Sequence, residues 1–223
     1  MHGFPRYHRS DPRRWLGLWL AWGVVLVAGP GLPLHADEAS DREYKVKVAF
    51  VYNFLKFIAG GRFGPAEETA GAPADPNKTL VVGVLGKVPS QESFADLQGK
   101  LVKDKRIAIR YFKSLADCED AEKKIPAQHP QSKDMGRCHV LFVCPSEKSF
   151  LPRLLPPLQR DGVLLVGDTP GFLEAGGVIN LLIEEKKVRF EVNLAAAARE
   201  KLQIRSSLLR LAVRTVEHDA VER

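Results

Sequence analysis

The side chains of this sequence best suited to chemistry are three cysteines, three histidines beyond residue 36, and polar residues that come after apolar runs. Cys138 and Cys144 bracket the run His139-Val-Leu-Phe-Val143. At ~3.3 Å per residue such a strand spans about 20 Å, whereas a disulfide needs Cα atoms within roughly 7 Å. That pair is therefore excluded. Cys118 follows the preceding strand and belongs near the carboxyl edge of a parallel sheet, as Cys144 does, so Cys118–Cys144 ranks above Cys118–Cys138. Three reduced thiols are the remaining alternative. His129 lies in a proline-flanked loop, His139 in the strand and His218 in the tail. Nucleophilic catalysis needs a nucleophile beside a base, and neither Gly-x-Ser-x-Gly nor Ser-x-x-Lys occurs. Cys138 and His139 are adjacent, but strand neighbours point to opposite faces. No His-x-His or Cys-x-x-Cys starts a metal site. Gly83-Val-Leu-Gly86 follows an apolar run but is not Gly-x-Gly-x-x-Gly, and a tight turn explains its glycines. Asp168-Thr169-Pro170 reads as a helix cap with proline in the first turn. Its backbone N–H groups, with Gly86 beside them, would form an edge where an anionic ligand could sit. The residues supply no positive sign of an enzyme, a cofactor or a metal.

The elements that must hold these residues are legible from periodicity. Residues 41–58 read as a helix capped by Ser40 or Asp41. Only Lys45, Asn53 and Lys56 make a polar stripe on it, so it should be buried on several sides. Its apolar and aromatic positions Tyr44, Val48, Val51, Tyr52 and Leu55 are either core or a partner or dimer interface. Residues 60–78, rich in glycine and proline, form an exposed loop or insertion. Leu80–Leu85, Ile107–Phe112, residues 138–143 and Gly162–Val166 read as buried strands. Helices are expected over Gln91–Leu97, Ala116–Lys124 and, broken by Pro152, Pro156 and Pro157, Ser146–Gln159. A short helix is expected from Asp168 to Gly176. Val178–Ile183 and Lys187–Val192 form a hairpin. An alanine-rich helix to Glu200, an extended piece at Leu202–Ile204 and a last helix Ser207–Glu217 complete the chain. The expected fold is α/β: three layers, a mostly parallel central sheet, flanking helices and an antiparallel C-terminal hairpin.

Charge narrows the function classes. The chain of 223 residues carries 33 Lys+Arg and 27 Asp+Glu, a net of +6. Half of that excess lies in residues 1–36, which hold Arg6, Arg9, Arg13 and Arg14 against Asp11 alone. The same segment has an uncharged run of 13 residues, Trp15–Val27, then Gly29, Pro30, Gly31 and Pro33, and ends in Leu34-His-Ala36. This is the pattern of a cleavable secretory signal, and the run is shorter than the ~20 residues of a spanning helix. The expected mature chain, residues 37–223, has 29 basic and 26 acidic residues and should fold as one domain ending in a tail at 218–223. So even a balance argues against a nucleic-acid partner, while the leader argues for an exported protein in a bacterial periplasm.

Six blocks, in order, resemble the YfiR-like family. They are Tyr44–Phe57, Cys138–Phe142, Val163–Asp168, Gly176–Asn180, Val188–Asn193 and Ser206–Ala212, spread over residues 43–213. The resemblance implies a periplasmic α/β regulator without known catalysis. Such a regulator binds and restrains an inner-membrane signalling protein, a diguanylate cyclase, and so lowers cyclic di-GMP. It also implies a possible homodimer and an outer-membrane lipoprotein that relieves inhibition. Two departures stand out. The family's Trp-Pro after the first helix is replaced by Ile58-Ala-Gly-Gly-Arg-Phe63, and the strand Leu80–Leu85 lacks the cysteine that some members pair with the one matching Cys138. The alternative function is a periplasmic small-molecule-binding component of a transporter or sensor-kinase system, with its pocket near Gly86 and Asp168.

Overall fold

Continuous apolar runs become strands buried on both faces here, because a parallel sheet must be covered on both sides. The computed structural model describes residues 34–64, 79–88, 91–118, 131–159 and 162–217. The signal segment up to residue 33, most of the 60–78 loop, residues 119–124 of the charged helix and the 218–223 tail lie outside the described residues.

The chain opens with α1 (Leu34–Phe57), β1 (Ile58–Gly60) and a 3-10 turn over Gly61–Phe63. Then come β2 (Thr79–Leu85), α2 (Gln91–Ala95), β3 (Leu101–Val102) and β4 (Lys105–Phe112). The middle of the chain has a 3-10 turn at Leu115–Asp117, α3 (Ser132–Met135), β5 (Val140–Val143), a 3-10 turn at Pro145–Phe150, α4 (Leu151–Leu158) and β6 (Leu164–Gly167). The C-terminal part is β7 (Ile179–Glu184), β8 (Lys187–Asn193), α5 (Leu194–Arg199), β9 (Leu202–Ile204), α6 (Ser206–Leu209) and β10 (Arg214–Val216). The eight-stranded sheet has the order β10-β8-β7-β6-β5-β2-β4-β3, and β1 pairs with β9 in a small second sheet. Strands β4, β2, β5, β6 and β7 run parallel. The hairpin β7–β8 is antiparallel, as is β3–β4 at the other edge. This is the mixed α/β architecture with a mostly parallel sheet and an antiparallel hairpin that the alternating pattern implies.

Aromatic packing sets α1 on the sheet. Tyr44 meets Phe142 of β5 edge-on at 6.4 Å, and Phe54 meets Phe190 of β8 at 5.2 Å. Phe94 of α2 closes on Phe142 at 5.0 Å. The core that results includes Val51, Phe54, Leu55, Phe142 and Phe190, each at most 2 % exposed.

Two local expectations fail in the C-terminal part of the chain. The last helix is only the four residues of α6, and the next element is the strand β10. There the backbone pairs with β8, and the Arg214 guanidinium bridges Glu191 at 2.6 Å and Glu174 at 3.3 Å. No helix starts after Asp168: residues 169–176 form turns, with Gly171 and Gly176 at φ +85 and +99. The short strands β1 and β3 are additions that the pattern does not announce, because they carry too few residues to show a period.

Candidate functional site

The parallel strand order β4-β2-β5-β6-β7 has its switch point between β2 and β5, since the chain leaves β2 for β4 on one side and returns to β5 on the other. In open α/β sheets ligands bind in the crevice at the carboxyl ends of strands at such a point. Gly86 ends β2 there, and Cys144, Ser146 and Glu147 come after β5. Asp168 and Thr169 follow β6 on the same edge. Gly86 and Asp168–Thr169 are therefore on one edge of the sheet, as the spacing suggests, but each is engaged by a different cluster.

At the switch point stands Glu147, which is fully buried. Its Oε1 accepts hydrogen bonds from Ser114 Oγ at 2.6 Å and Ser146 Oγ at 2.7 Å, and its Oε2 accepts from the Leu115 N–H at 2.9 Å. Ser146 Oγ in turn accepts from the Lys87 N–H at 3.0 Å. Three donors on one carboxylate, hydroxyl donors among them, meet the cost of burying it. The network ties together the loops after β2, β4 and β5. Gly86 is required at its place: φ is +99, and a Cβ would come within 2.4 Å of Ser146 Oγ and 2.7 Å of Glu147 Oε1.

The second cluster lies after β6. The Asp168 side chain has no exposure, and its Oδ2 accepts from Lys47 Nζ at 2.7 Å and Tyr44 Oη at 3.0 Å. Lys47 also pairs with Glu43 one helical turn earlier. Burial works to lower the Lys47 pKa, but the charge of Asp168 and the hydrogen bonds to Asp168 and Glu43 outweigh it and hold the ammonium above its ordinary value. Burial, with the nearby carboxylate of Asp168, also drives the Tyr44 phenol up, so it stays a donor. The Thr169 N–H is taken by Asn180 Oδ1 at 3.0 Å, and Asn180 Nδ2 donates to Glu191. Asp168 thus anchors α1 rather than capping a helix, and the backbone N–H array expected of a helix start at Thr169 does not form. Two buried atoms remain unmatched, Asp168 Oδ1 and Thr169 Oγ1.

Of the five residues read as core or interface, Tyr44, Val48, Val51 and Leu55 are buried in the chain's own core. All four belong to the chain's own core cluster. Tyr52 alone is half-buried, with its hydroxyl donating to the Leu101 carbonyl at 3.3 Å and Lys56 over its ring at 4.2 Å.

None of the three cysteines is disulfide-bonded, neither Cys118–Cys144 nor Cys118–Cys138. Cys118 Sγ donates to the Ser114 carbonyl and Cys138 Sγ to the Asp134 carbonyl. Burial pushes the Cys138 thiol up to about 11 and raises Cys144 as well, the latter helped by Asp168 and Glu147. Neither is an activated nucleophile. His139 lies at the opposite end of β5, where its Nδ1 accepts the Val81 N–H at 3.0 Å. Burial, aided by Lys105 and Arg62, lowers its pKa to about 4. Among the described residues no group of three or more His, Cys, Asp or Glu is arranged to hold a metal.

Sequence reasoning missed Lys47, Glu147, Ser114 and Ser146. Lys47 was within reach: it lies three residues after Tyr44 and next to Val48, on the helix face that the apolar residues mark as buried. Glu147, in Pro145-Ser-Glu147, has the composition of any solvated loop.

Fold and site together define an α/β domain whose sheet switch point carries a hydrogen-bonded cluster around the buried Glu147. The chain belongs to the YfiR/HmsC-like family: the family model DUF4154 matches residues 44–213. This is a family of periplasmic regulatory proteins, and no helix among the described residues is long and apolar enough to cross a membrane. No curated protein matches the chain. Among solved structures, a conserved domain protein of Vibrio cholerae aligns with TM-score 0.49 and 11% identity over 77% of this chain and 60% of its own. The chain therefore spans about three-fifths of that protein's length. A Streptococcus pneumoniae structure described as an ABC domain in complex with L-Trp aligns with TM-score 0.42 and 12% identity, over 61% of this chain and 55% of its own.

Proposed function

We propose that the protein is a non-enzymatic periplasmic regulator that binds and restrains an inner-membrane signalling protein, a diguanylate cyclase. The observation that carries this reading is the match of residues 44–213 to the YfiR/HmsC-like family. The geometry supports it. At the switch point the buried Glu147 spends its carboxylate on the chain's own donors, which favours work done through the outer surface. Deleting the gene should raise cellular cyclic di-GMP, and cross-linking in intact cells should capture the cyclase. Unchanged cyclic di-GMP with no cyclase captured would overturn the reading.

A second reading rests on the unmatched atoms Asp168 Oδ1 and Thr169 Oγ1: a small molecule with a hydrogen-bond donor, delivered to a transporter or sensor kinase. A reproducible thermal shift of the purified protein with a library compound, abolished by Asp168→Asn, would favour it. No hit across broad metabolite libraries would count against it.

A further inference from the structure

We propose that Arg62, Arg110 and Arg137 form an arginine face that docks on an acidic protein surface. Three separate elements bring these side chains to the start of β5. The turn Gly61–Phe63 carries Arg62 and is pinned there, with the Arg62 N–H on the Gly162 carbonyl at 3.2 Å and the Phe63 ring 5.9 Å from that of His139. Arg110 stands on β4 in register with Gly83 of β2, and the space above Gly83 is closed by Cys138 Sγ. Arg137 immediately precedes Cys138. Consistent with this convergence, the charges of Arg110 and Arg62 both act on the Cys138 thiol.

All three arginines are exposed. Among the described residues Arg62 and Arg110 have no ion pair, and Arg137 reaches only Asp134, at 3.8 Å with both side chains more than half exposed. Two neighbouring lysines bond to backbone carbonyls. Lys103 Nζ donates to the Ile58 carbonyl at 2.7 Å and Lys105 Nζ to the Phe63 carbonyl at 3.0 Å. Arg62, Arg110 and Arg137 present guanidinium, whose planar fork matches carboxylates two bonds at a time. A lipid surface selects differently, for clustered lysines beside apolar side chains that insert, and Lys103 and Lys105 are committed to carbonyls. With the remaining charge of residues 37–223 nearly balanced, this face would steer and orient an acidic partner. The partner is that of the regulator reading, on which this inference rests, now given a surface chemistry.

The test uses the purified protein and labelled poly-L-glutamate as the acidic probe, with vesicles of phosphatidylethanolamine and phosphatidylglycerol as the competing surface. The double variant R62E/R110E should bind poly-L-glutamate about tenfold or more weakly, and the wild-type affinity should fall as salt rises. The control K187E/R189E, on the β7–β8 hairpin, makes the same change in net charge and should stay within about twofold of wild type. Both variants should melt as wild type does, because all four side chains are exposed. Equal losses in the two double variants would overturn the proposal, as would absence of binding or tighter binding to the vesicles. The assay contains no cyclase, so its failure leaves the regulator reading standing. Conversely, unchanged cyclic di-GMP on gene deletion removes the cyclase but not the arginine face.

Discussion

At the residue scale the decisive groups are buried and polar. Glu147 is held by two hydroxyls and a backbone N–H, so Glu147→Ala leaves two buried donors, Ser114 Oγ and the Leu115 N–H, without an acceptor. It should cost about 2–4 kcal/mol of stability, whereas Ser114→Ala, which removes one donor, should cost about 1 kcal/mol. Urea unfolding of both variants checks the ratio, and equal costs would mean the carboxylate is not the hub. His139 gives a pH signature. The folded imidazole titrates near 4 against 6.5 for the free side chain, so the unfolded chain binds more protons between those values. Stability is then lost as pH falls from about 6.5 toward 4, by roughly 2 kcal/mol once partial exposure is discounted. In His139→Asn the amide oxygen can accept the Val81 N–H without titrating. The difference in melting temperature between the two proteins should therefore narrow in favour of the variant across that window. Parallel profiles would show that His139 contributes nothing to acid sensitivity.

At the element scale, α1 is fixed in two ways. Its later turns bury Val51, Phe54 and Leu55 against the sheet, a non-directional attraction. Its earlier turn is set by the ion pair of Lys47 with Asp168. Removing one partner of a buried pair leaves an uncompensated charge, so Lys47→Met should cost about 3–5 kcal/mol at pH 7. The double variant Lys47→Met/Asp168→Asn removes both charges and should cost less than the sum of the single changes, with a coupling of about 1–3 kcal/mol. Additive losses in a thermodynamic cycle would show that the helix is held by apolar packing alone. The same scale explains where element reading fails. The segment after α6 has the composition of a helix end, yet an open edge of β8 and two acids placed for Arg214 draw it into a strand. Pairing partners remote in sequence outweigh a propensity of a few tenths of a kcal/mol per residue.

At the scale of the whole molecule, the polar clusters at the carboxyl edge act as ties between loops. Glu147 joins the loops after β2, β4 and β5, and Asp168 joins the loop after β6 to α1. The arginine face lies away from this edge, near the start of β5. A regulator built this way presents a preorganised surface.

How much of this was legible depended on the range of the interaction. Apolar runs such as Leu80–Leu85 and Leu164–Val166 mark buried parallel strands by themselves, and the Glu185–Lys186 turn marks its hairpin, because those signals are local. The ordered blocks from Tyr44 to Ala212 likewise identified the family without any structure. The tertiary structure alone decided that Glu147 is buried, that Lys47 is paired, that Thr169 starts no helix and that the cysteines stay unbonded. Each of those outcomes depends on a partner tens of residues away, and a charge in a sequence carries no mark of whether the fold will surround it with donors or with water.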